Sequence, residues 1–111
     1  MRGRRGTAVG PADVVERDLP VIAVREHHEW VVGHIDGAVH IPMGEVPHRL
    51  EEIPADGPFA VVCRSGRRSA HVATWLRERG YDAANLTGGM KAWRRDGFAI
   101  RDSDGGSGQV A

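Results

Sequence analysis

The segment Ala60–Ser69 reads AVVCRSGRRS. An apolar run ends at Cys63, the chain's only cysteine, and Arg64, Arg67 and Arg68 follow at once with Ser65, Gly66 and Ser69 between and after them. If the apolar run is a strand and the next segment a helix, the connecting loop can aim several backbone N–H groups at one point, to which the helix adds its positive end. A thiol held there is stabilised as thiolate. The arginines add to the local field, Gly66 permits a backbone conformation that a Cβ obstructs, and Ser65 and Ser69 can donate hydrogen bonds to an anion or cap the helix. The pattern describes an activated nucleophile in an anion cradle, suited to an anionic substrate with a soft atom to attack. The competing reading is that a lone cysteine at a strand end is a small buried hydrophobe. Arg64 and Arg67, taken singly, are equally compatible with solvated side chains.

Such a loop needs a scaffold of alternating strands and helices, and the flanking sequence supplies one. PADVVERDL reads as a short helix with Pro11 in its first turn. PVIAV and PFAVVC are continuous apolar runs, as expected of strands covered on both faces. REHHEWVVG reads as a short helix ending at Gly33, HIDGAVHIP as a turn at Asp36-Gly37 and a brief strand, and GEVPHRLEEI as a helix or helical turn. From Arg67 to Arg79, the residues Ser69, Val72, Ala73 and Leu76 form one inward helical stripe, with Gly80 closing the helix. YDAANL gives a further strand and GGMKAWRRDG a last helix. The alternation predicts an α/β fold with a mainly parallel sheet, whose ligands bind beyond the carboxyl ends of its strands, where Cys63 lies.

These segments resemble the rhodanese-like domains, the single-domain sulfurtransferases. CRSGRRS resembles their active-site loop, VREHHEWVVGHIDGAVHIP their Val-Arg-Glu and Gly-His-Ile-x-Gly-Ala segments, and NLTGGMKAW their Leu-x-Gly-Gly-Met-x-x-Trp. The resemblance covers about residues 20 to 97. It implies a parallel sheet of about five strands with helices on both faces. It also implies that Cys63 is the nucleophile, taking a sulfane sulfur from a small anionic donor such as thiosulfate and passing it to cyanide, a thiol or a partner protein. Arg64, Ser65, Gly66, Arg67 and Arg68 carry over as the substrate cradle, with Arg68 at the family's most regular arginine position and its guanidinium or its backbone N–H expected to face the anion. One departure is Ala23, where the family often has an Asp that helps brace the site. Two rival functions are a non-catalytic interaction or regulatory module, which typically lacks the loop cysteine, and a Cys-dependent phosphatase or arsenate reductase. The latter places its arginine one residue further along, where this chain has Ser69.

The whole chain bounds these readings. Its 111 residues fit one domain, expected over residues 10–100, with a loose segment over 1–9 and a flexible tail over 101–111. The formal net charge is +0, so no overall field draws it to nucleic acid or membrane, and neither is expected as a partner. One cysteine excludes an intrachain disulfide, and the six histidines show no zinc-type spacing, so no metal and no cofactor are expected. The basic start, MRGRRGT, lacks the apolar stretch of a signal peptide, and no run approaches the roughly 18 apolar residues of a membrane span. A cytoplasmic location is expected. With no second cysteine to resolve a persulfide, the acceptor must come from outside the chain.

Overall fold

Five parallel strands in the order β1-β5-β4-β2-β3 form the sheet of the computed structural model, which describes residues 7–111. In chain order the elements are β1 (Ala8–Val9), α1 (Pro11–Arg17), β2 (Val21–Ala23), α2 (His27–Val32), β3 (Val39–His40), 3-10 turns at Met43–His48 and Leu50–Glu52, β4 (Phe59–Val62), α3 (Arg67–Glu78), β5 (Ala83–Leu86) and α4 (Gly89–Arg95). The α/β parallel architecture is the one the alternation predicts. β4 is the central strand, in register with β2 through Ile22–Val61 and with β5 through Ala60–Ala84.

Every residue of β2 and β4 is buried, because both faces are covered. Successive side chains point to opposite faces. Ala60 and Val62 join Val14 of α1, Met90 and Trp93 of α4, and Leu86 in one core. Phe59, Val61 and Cys63 join Val46, Ile53 and the α3 residues Val72, Ala73 and Leu76 in the other. The buried residues of α3 are Ser69, Val72, Ala73 and Leu76, the predicted stripe.

Two expectations change at the chain ends. Of the segment 1–9 read as loose, residues 1–6 lie outside the described residues, and Ala8–Val9 form the edge strand β1 beside β5. The stretch 101–111 read as a flexible tail instead folds back on the domain. His34 and Arg101 exchange backbone hydrogen bonds, Ser103 N–H donates to the Val31 carbonyl and Gln109 N–H to the Val32 carbonyl. The Asp102 carboxylate closes the turn by accepting from the amides of Asp104 and Gly106. A polar, glycine-rich composition hides such pairing, because the bonds are made by backbone. The segment 43–52 is helical only as 3-10 turns, with Pro47 inside the first.

Candidate active site

Cys63 follows the last residue of β4 and is 1% exposed. Its Sγ accepts hydrogen bonds from Gly66 N–H at 3.1 Å, from Ser69 N–H at 3.4 Å and from Ser69 Oγ at 3.3 Å. An inert core thiol has no use for such a collar, which supports negative charge on sulfur. Burial pushes the thiol's pKa up. The Ser69 hydroxyl and the amides of Ser69, Gly66 and Ser65 outweigh it, and the pKa lies below the ordinary value.

Gly66 makes the collar possible. It sits at φ 102°, in the left-handed region, and precedes the first residue of α3. There its N–H turns inward while its carbonyl accepts from Asn85 Nδ2 at 3.1 Å. The Asn85 Oδ1 in turn accepts from Ser69 Oγ at 2.6 Å. Asn85, on β5, thereby braces both the turn of the loop and the hydroxyl that touches sulfur. The start of α4 closes the loop from the other side, with Met90 N–H on the Cys63 carbonyl at 2.9 Å and Lys91 N–H on the Arg64 carbonyl at 3.0 Å. Gly89, at φ 60°, lets these chains meet: a Cβ there would stand 2.5 Å from the Cys63 carbonyl oxygen and 2.6 Å from that of Arg64.

The loop residues divide. Arg64, Ser65 and Arg67 are exposed at the mouth, and Gly66 is buried. Arg68 turns its guanidinium to α2, within electrostatic reach of Cys63. It forms a bidentate pair with Glu29 of α2, Nη1 to Oε1 at 2.8 Å and Nη2 to Oε2 at 2.9 Å. This pair ties the loop to α2. Hydrogen bonds from Arg68 hold the largely buried Glu29 carboxyl at about 2, against the opposing effect of burial. Behind the pair lies Arg25, fully buried, with Nη1 donating to the Gly33 carbonyl and with Nε and Nη2 unpartnered. Burial pushes its pKa down, and Glu29 is the charge that most opposes this.

Glu29 and Asn85 were not singled out from sequence. Glu29 stands 39 residues from Arg68 and Asn85 stands 16 from Ser69, and neither belongs to a local pattern. Ala23, where the family often has an Asp, is packed in the core on the α1 and α4 face. Among the described residues, no group of three or more His, Cys, Asp or Glu could hold a metal ion. His34 and His40 instead stack on Trp30, at centroid distances of 3.8 and 4.7 Å.

The family model described as Rhodanese-like domain matches residues 12–96. The protein YtwF of Bacillus subtilis (strain 168) is 42% identical over 78 residues, covering 70% of this chain and 76% of its own. A protein of Allochromatium vinosum named sulfurtransferase is 37% identical over 89 residues, covering 79% of this chain and 83% of its own. Among solved structures, a rhodanese-related protein from Thermoplasma volcanium superposes with a TM-score of 0.79 at 28% identity, covering 84% of this chain and 95% of that one.

Proposed function

The chain belongs to the rhodanese-like domain family, and from that membership we propose that it is a sulfurtransferase that carries a sulfane sulfur as a persulfide on Cys63. The observation that carries this reading is the collar of Gly66 and Ser69 donors on a buried sulfur at the end of the central strand. In the first step the Cys63 thiolate attacks the outer sulfur of a donor such as thiosulfate. The new S–S bond forms as the donor's S–S bond breaks, and sulfite leaves with the electron pair. In the second step cyanide or a thiolate attacks the outer sulfur of the persulfide and Cys63 leaves as thiolate, returning to its collar.

The residues of the loop take distinct parts. Cys63 is the nucleophile. The Ser65 and Gly66 amides and Ser69 hold negative charge on sulfur before and after transfer. Arg64 and Arg67, exposed at the mouth, attract an anionic donor. Arg68 acts as a positioning residue through Glu29. The catalytic unit in this reading is residues 10–100, with 101–111 packed onto it. No helix among the described residues is long and apolar enough to cross a membrane. A free thiol that must stay reduced suits the cytoplasm, where we place it.

Intact mass spectrometry after incubation with thiosulfate tests the proposal. One added sulfur atom is expected on the wild-type chain and none on Cys63→Ser. Thiosulfate:cyanide turnover retained by Cys63→Ser would overturn it.

A further inference from the structure

Beside the Cys63 loop lies an open cleft lined by Arg64, Lys91, Arg94, Arg95 and Val110. The four cations are exposed, and half-buried Val110 is the apolar residue among the lining. Among the described residues, Arg64, Lys91 and Arg94 have no carboxylate partner: Arg94 donates to the neutral Gln109 side chain at 3.1 Å, and only Arg95 is shared, with Asp96. The chain's formal net charge is +0, so this concentration of positive charge is local. It is also fixed to the site, because Lys91 N–H holds the Arg64 carbonyl next to Cys63.

We propose that this surface docks an acidic segment of a partner protein bearing the thiol that accepts the sulfur. The proposal rests on the persulfide reading above. Cys63 is nearly closed to solvent, but the persulfide carries its transferable sulfur outward by one S–S bond of about 2 Å. The acceptor therefore needs to reach only the loop's rim, which this cleft borders. Along α4, Lys91, Arg94 and Arg95 fall at i, i+3 and i+4, one helical face spanning about 6 Å of axis. Arg64 extends the row toward the thiol. Four cations in one row carry more charge than one small anion neutralises, and fit carboxylates repeated along a peptide. Transfer conserves atoms: the partner's thiolate bonds to the outer sulfur, the S–S bond to Cys63 breaks, and the partner leaves as the persulfide.

The test uses two short peptides, each with one cysteine, flanked by Asp and Glu in one and by Asn and Gln in the other. Serine replaces the cysteine for binding by fluorescence anisotropy. The acidic peptide is expected to bind at least about tenfold tighter at low ionic strength, and to lose that advantage as salt screens it. The variant Lys91→Gln/Arg94→Gln/Arg95→Gln is expected to abolish the preference and to slow sulfur transfer to the acidic cysteine peptide by a similar factor. Its thiosulfate:cyanide turnover is expected to stay at the wild-type rate, which also shows that it folds. Equal binding of the two peptides would overturn the proposal. So would a matching loss of thiosulfate turnover, which would make the cleft a guide for the donor anion. An acidic peptide that binds while no persulfide forms on Cys63 would overturn the sulfur-transfer reading, and with it the role of the bound segment as acceptor.

Discussion

Ser69 has one hydroxyl proton and two acceptors, Asn85 Oδ1 at 2.6 Å and Cys63 Sγ at 3.3 Å. With sulfur as thiol, the proton serves Asn85; as charge develops on sulfur, the hydrogen bond to the anion gains strength. Ser69→Ala removes that donor and leaves the amides. The expected result is a thiol pKa above the wild-type value, read as an upward shift in the midpoint of alkylation rate against pH. Arg68→Ala exposes a different dependence. Glu29 is held at about 2, down from 4.5, so the unfolded state binds more protons between those values and the pair's stabilisation is lost as pH falls through that window. At neutral pH Arg68→Ala is expected to cost on the order of 3 kcal/mol, because a largely buried carboxylate loses its partner. Urea titrations should show the gap between wild type and variant closing toward pH 2. The cysteine and its arginines were legible in sequence because they fall within the six residues 63–68. The direction of Arg68 was not, because its partner sits on a helix packed against it from elsewhere in the chain.

The elements around the loop meet with little clearance. α4 reaches the Cys63 and Arg64 carbonyls only because Gly89 has no side chain. Gly89→Ala adds a Cβ that backbone oxygens on two residues must avoid, at a φ that side chains rarely adopt. It is expected to cost more than about 2 kcal/mol in urea unfolding and to slow alkylation of Cys63, as α4 and the loop move apart. At this scale the sequence was most readable where a period runs long enough, as in the Ser69, Val72, Ala73, Leu76 stripe of α3. It was least readable where pairing is made by backbone alone. β1 has only two residues, and the 101–111 stretch binds α2 through amides and carbonyls that carry no residue signature. The glycine at position 89 was visible, but the carbonyls it must clear were not.

For the molecule as a whole, the Cys63 thiol is an interior group with a charged rim. A cysteine that is 1% exposed should discriminate by size: iodoacetamide is expected to modify Cys63 faster than a bulky maleimide, reversing their order on a free thiol, and stopped-flow alkylation measures it. The sheet order has a further consequence, for synthesis. β4, which ends just before Cys63, pairs with β2 before it and β5 after it in the chain. The collar also needs Asn85, and the Cys63 carbonyl needs Met90. On the ribosome, Cys63 emerges well before these residues, and such non-local pairing waits for the later strand. A stalled chain with α3 outside the exit tunnel but β5 still within it should therefore alkylate like ordinary cysteine. Release of residues through α4 should bring on the pH profile and size selectivity of the folded protein, so the thiol gains its reactivity only as the domain is completed.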